Sequence, residues 1–150
     1  MSKKKPQYNK KPFESTGVSS DTSANIYMSM LLSEAWKGLS AKQQVLYVYC
    51  KAQYYAEKKK PDGNELCFTM SKSKVRDLYG IYSGGNMAAF YRDIAALIDH
   101  GFIRCVDCGA FTRTKSIYRF SDSWQKYGKD EFIISDDYKT VGMIRSKKQG

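Results

Sequence analysis

Between Met70 and Asp122 the spacing of apolar positions predicts helix, short turn, second helix and then a β-hairpin. Ser71 is placed to cap the first helix, because its hydroxyl can accept from an orphan backbone N–H, and Gly80 supplies a left-handed stop. Ser83 is expected to cap the second helix, which runs to His100 and ends at Gly101. Phe102-Ile103 opens a strand, Cys108-Gly109-Ala110 supplies turn chemistry, and Ser116 to Phe120 returns as the partner strand. At 100° per residue, Met87, Phe90, Ile94, Leu97 and Ile98 fall on one face of the second helix. The opposite face carries Gly85, Ala88, Ala89, Arg92, Ala96 and Asp99.

Upstream, Ser40 and Gln43 form an S-x-x-Q capping box at the head of a helix predicted to reach Glu57. Val45, Leu46, Tyr49, Ala52 and Tyr55 are its expected apolar stripe, with Lys42, Gln44 and Lys51 outside. A shorter helix is expected from about Met30 to Lys37, with Trp36 as a core anchor. Lys58 to Asn64 reads as a basic turn, and Leu66 to Thr69 as a short strand that pairs with the hairpin in a three-stranded sheet. After the hairpin, Trp124 and Tyr127 are expected to fold back on the domain, and Phe132-Ile133-Ile134 to add a strand or dock on a partner. The fold class is therefore α+β, mainly helical: a winged helix-turn-helix with a small antiparallel sheet. The expected division is a basic tail over 1–22, the domain over 23–128 and a partly flexible extension over 129–150.

Charge sharpens this picture. The 150 residues hold 25 Lys and Arg against 15 Asp and Glu, a net +10, which points to a polyanionic partner, with DNA the first choice. A solvent-facing helix ordinarily carries Lys, Glu and Gln outside, whereas the second helix carries small residues around one arginine. Small residues let a helix backbone approach closely, and Ala can touch a thymine methyl. Ser83, Gly85, Asn86, Ala89 and Arg92 are accordingly the candidate base-reading set in a major groove. The alternative is that Ala88, Ala89 and Ala96 pack on another protein, a homodimer mate included. Lys72, Lys74 and Arg76 on the first helix are candidate phosphate contacts, and Arg113 and Lys115 form a basic, acid-free wing tip. In the tail, Lys3, Lys4, Lys5, Lys10 and Lys11 can grip phosphates as an arm or simply solvate the chain.

Other chemistries find little support. Cys105-x-x-Cys108 resembles half a zinc site, but Cys50, Cys67 and the single His100 do not complete a second pair. Cys50 and Cys105 read better as small buried hydrophobes, and neither metal nor cofactor is expected. G-x-x-x-x-G-K-[ST], G-x-G-x-x-G and H-E-x-x-H are absent from the sequence, and an enzyme is not expected. Asp93 and Asp99 read as solvated surface carboxylates. Gly84-Gly85 precedes a helix and can cradle an anion, most simply a DNA phosphate. With no apolar run of 18 residues and no secretory h-region, a cytoplasmic protein without a membrane span is expected.

Four segments carry a resemblance: LLSEAWKGLS, FTMSKSKVRDLYG, AAFYRDIAALIDHGFI and TRTKSIYRFSDSWQKYG. Together they resemble a winged-helix family of mobile genetic elements in Gram-positive gut bacteria. That family is similar to the N-terminal domains of plasmid replication initiators and to small accessory proteins of conjugative elements. The likeness covers Ala24 to Tyr127 and is most specific over Phe90–Ile103 and Thr112–Trp124. It implies binding of double-stranded DNA, with Asn86, Arg92, Arg113 and Lys115 at matching positions. A separate reading, in which the winged helix serves protein interaction, has a relaxase or replication protein as its partner. The Cys105/Cys108 pair departs from the pattern. The resemblance leaves origin binding, transcriptional repression and a protein-recruiting module all open.

Overall fold

The computed structural model describes residues 22–57, 59–84, 87–107 and 116–132. Two one-turn helices, α1 (Met28–Leu31) and α2 (Glu34–Lys37), stand where a single helix was expected. Ser33 divides them. Its backbone is extended, with φ −73° and ψ 151°, and its hydroxyl donates to the Met30 carbonyl at 2.6 Å while accepting from Trp36 N at 3.2 Å. That second cap turns Trp36 into the core, where its ring meets Tyr47 and Phe102 edge-on at 5.8 and 5.7 Å.

The long helix α3 (Ala41–Ala56) begins at the expected capping box. Gln43 N donates to Ser40 Oγ, and the Gln43 side chain accepts from Ser40 N at 2.9 Å. Its buried face is rotated from the expected stripe. Leu46, Tyr47, Cys50 and Gln53 point inward, whereas Val45, Val48 and Tyr55 are exposed.

A three-stranded antiparallel sheet follows, with β1 (Cys67–Thr69) and β2 (Ile103–Asp107) flanking β3 (Ile117–Phe120). Cys67 pairs with Arg119, Phe68 with Tyr118, and Cys105 with Tyr118. Ile103 and Cys105 alternate inward as expected, and a register shift between Cys105 and Asp107 bulges the β2 edge. The turn of the hairpin, including Cys108, lies outside the described residues.

Two helices lie between β1 and β2. Ser73–Leu78 is a π-helix, wound wider than an α-helix, and Tyr79 N reaches the Lys74 carbonyl five residues back. Ser71 Oγ accepts from Lys74 N at 3.3 Å, and Gly80 takes φ +66° as the expected stop. The second, α4 (Ala88–Asp99), starts five residues later than Ser83, and Met87 occupies its N-cap without a side-chain cap. Gly84 at φ +80° explains the delay, because a left-handed residue cannot belong to a right-handed helix.

Met87, Phe90, Ile94, Leu97 and Ile98 are all buried, as their spacing predicts, in a core shared with α3, Phe68 and Phe102. Gly101 ends the helix at φ +85°. A Cβ there would stand 2.6 Å from Trp124 N and 3.0 Å from Phe132 Cε2, so only glycine allows the chain after β3 to cross so closely. Trp124 stacks on Phe102, its ring parallel within 7°, and Tyr127 stacks on His100. Phe132 packs edge-on against Tyr127, so contacts continue past Gly128. Ile133 and Ile134 lie outside the described residues. Among the described residues no helix is long and apolar enough to cross a membrane.

Candidate nucleic-acid interface

The outer face of α4 is less open than its sequence suggests. Ala88 and Arg92 are exposed, whereas Ala89 and Ala96 are half-buried and pack against the core. The small-residue surface therefore narrows to the first turn and Arg92. Ser83 and Gly84 are exposed in the turn leading into the helix. Gly85 and Asn86, between them and Met87, lie outside the described residues, as do Arg113 and Lys115 of the wing and the five tail lysines.

Asp93 was expected at the surface and is instead 5% exposed. A carboxylate there needs partners, and two reach it. Tyr82 Oη donates to Oδ2 at 2.6 Å, and Gln43 Nε2 donates to Oδ1 at 3.2 Å. Burial, and then the bond to Asp93, hold the Tyr82 hydroxyl far above its ordinary titration range. This triad ties the turn before α4 to the head of α3. Lys42 lies over the Tyr82 ring with Nζ 4.4 Å from its centroid, adding a cation beside the same turn.

The three basic residues of the π-helix segment have different environments. Lys72 is exposed. Arg76 pairs with the adjacent Asp77 through Nε–H to Oδ1 at 3.0 Å, on the surface. That hydrogen bond holds the Asp77 carboxyl below its usual range. Lys74 corrects the expected phosphate role. Its ammonium donates to Gln53 Oε1 at 3.0 Å and to the Thr69 carbonyl at 3.1 Å, and forms an ion pair with Glu57. Gln53 in turn donates to Tyr79 Oη at 2.5 Å, and Glu57 accepts from Thr69 N and Oγ1. All three donor directions of the lysine are occupied, so it clamps α3, β1 and the π-helix together.

Of the ten candidate residues, Ser83, Arg92, Lys72 and Arg76 are left at the surface; Ala89 is half-buried, Lys74 is internal and the other four are not described. Lys42 was missed as a neighbour of this turn, because nothing local in the sequence links it to Tyr82.

Cys50, Cys67 and Cys105 are buried, and burial pushes the Cys50 thiol well up, away from the thiolate that metal or redox chemistry requires. Comparison with known proteins finds no matching family model, no matching curated protein and no matching solved structure.

Proposed function

We propose that this chain is a winged helix-turn-helix protein that binds double-stranded DNA. The role we favour is a site-specific accessory or initiator protein at an origin of transfer or replication on a mobile element. The observation that carries this reading is the exposed first turn of α4. Ala88 and Arg92 project outward from a helix whose other side is anchored by Phe90, Ile94 and Leu97.

A backbone that close to the helix surface fits a major groove. Arg92 is then positioned for a base edge, and Lys72, Lys42 and Arg76 for flanking phosphates. The α3–π-helix–α4 order and the sheet order β1-β3-β2 are compatible with that class of fold. The net charge of +10 supplies the sequence-independent part of the affinity.

Sequencing of the DNA fragments that co-purify with the protein tests the role. Enrichment at an origin supports the accessory or initiator reading, and enrichment at promoters supports a repressor on the same scaffold. Recovery of no enriched DNA overturns specific binding. In vitro, Arg92→Ala should keep the melting temperature and weaken specific binding roughly 10- to 100-fold, the cost of one bidentate base contact. An unchanged affinity would remove Arg92 from the interface.

A further inference from the structure

Along the side of α3 turned from the core runs a row of apolar residues. Ala41, Val45, Val48, Ala52 and Tyr55 follow one another at intervals of four, three, four and three residues, which lines them up over about 24 Å of helix. An outward helix face ordinarily carries charged and amide side chains. Here Val45, Val48 and Tyr55 are 45%, 38% and 48% exposed. Beyond one edge of the row Tyr79 stacks on Tyr49 at 4.6 Å, and Leu78 beside it is 70% exposed, so the apolar surface continues onto the π-helix. Contiguous exposed apolar surface marks an interaction site. Leu46, Tyr47 and Cys50, on the inner side of α3, share the core with α4. The row therefore lies on the far side of α3 from α4, and a partner there leaves Ala88 and Arg92 uncovered.

The spacing is that of a seam between packed helices, in which side chains of one helix enter the gaps of the other. The margins of the row set the charge of what fits. At 100° per residue Lys42 falls beyond one edge and Lys51 beyond the other, and α3 contains no carboxylate. Each ammonium lies over a ring, Tyr82 at 4.4 Å and Phe120 at 5.0 Å from the centroid, a contact that holds the lysine and leaves its charge in place. Among the described residues neither lysine forms an ion pair, and Glu57, just past the helix, is taken by Lys74. A second copy of α3 would bring the same two cations and no carboxylate to the seam. A helix with acidic margins matches both the spacing and the charge.

We propose that the outer row of α3 docks an amphipathic helix of a partner protein, with an apolar seam of the same spacing and acidic residues at its margins. The site stands independently of the DNA reading.

Fluorescence anisotropy of a labelled synthetic peptide, titrated with the full chain, tests it. The peptide has about three heptads with Leu at a and d and Glu at e and g. It should bind with Kd of about 100 µM or tighter. A scrambled peptide of the same composition, and a version with Lys in place of Glu, should bind at least tenfold more weakly. Val48→Glu should weaken the acidic peptide at least tenfold with an unchanged melting curve. Should Val48→Glu melt early, Val45→Glu carries the same expectation at a more exposed position. Equal binding of the scrambled or the Lys peptide, absence of binding, or wild-type affinity in a folded variant overturns the assignment. So does a dimer of the chain alone in analytical ultracentrifugation that Val48→Glu dissociates, because the row is then covered by a second copy.

Discussion

The helices α3 and α4 face each other across one core, yet they use their polar residues in opposite ways. On α4 the apolar residues collect on one side, and Asp93 is the buried exception. On α3 the sides are mixed: Val45 and Val48 are exposed while Gln53 is buried. The polar groups of α3 work inside the protein, Gln43 toward Asp93 at one end and Gln53 toward Lys74 and Tyr79 at the other, with Glu57 just past the helix completing the Lys74 contact. A helix with Gln43 and Gln53 engaged inside the protein makes a scaffold, whereas α4, anchored by hydrophobic burial, leaves Ala88 and Arg92 exposed. Exposure of apolar side chains on α3 is the counterpart of that internal use.

Raising the pH should weaken the scaffold most. Burial raises the titration of Cys50, Tyr47 and Tyr118 above their ordinary values of 9.0, 10.0 and 10.0. The folded chain therefore keeps protons that the unfolded chain releases. Their stabilising contribution is whole below about pH 9 and is lost as pH rises, by about 1.4 kcal/mol per group per unit. Urea midpoints should fall steeply between about pH 9 and 11; a flat profile would mean that these groups titrate normally.

Removing the internal clamp comes next. Lys74→Ala leaves Glu57 and Gln53 without their donor and should cost about 3 kcal/mol, read by chemical denaturation. Lys72→Ala, two residues away and exposed, should leave stability unchanged within about 0.5 kcal/mol and make the salt dependence of DNA binding shallower by about one unit. Exchange of these two outcomes would reverse the division of labour drawn here.

A smaller effect is expected at the link between the helices. Tyr82→Phe removes the hydroxyl donor to buried Asp93 and should cost about 1.5–2 kcal/mol. Smallest of all, Val48→Gln on the exposed side of α3 should change stability by less than about 0.5 kcal/mol. A larger loss would show that this side is covered by something in solution, as by a second copy of the chain.

Much of this frame was legible in the sequence because it is locally encoded. The apolar spacing of α4, the Ser40–Gln43 box, the stop at Gly101 and the inward alternation of Ile103 and Cys105 each need only a few neighbouring residues to interpret. The polar interior was not legible, since its partners are far apart in the chain. Gln43 and Asp93 are separated by 50 residues, and Glu57 and Lys74 by 17. A buried carboxylate and a buried ammonium look like surface charges until their partners are in place. The same blindness misassigned part of the stripe of α3: Cys50 is buried as expected, but Gln53 faces inward because its partners Lys74 and Tyr79 lie more than 20 residues on. The candidate interface suffered less from distance than from backbone: Gly84 at φ +80° shortened α4 and removed Ser83 from its cap.

The central claim is that the first turn of α4 enters DNA. Ala89 is a poor place to test it, because that side chain packs against the core, whereas Ala88 is exposed at the first helical position. A glutamate at the head of a helix is favourable for the helix itself, so Ala88→Glu should melt no earlier than the wild type. Fluorescence anisotropy with a labelled duplex, measured across a salt series, then reads the interface directly. The account predicts at least tenfold weaker binding for Ala88→Glu at low salt, from repulsion and steric block. Wild-type affinity and salt slope in a fully folded Ala88→Glu protein would contradict it.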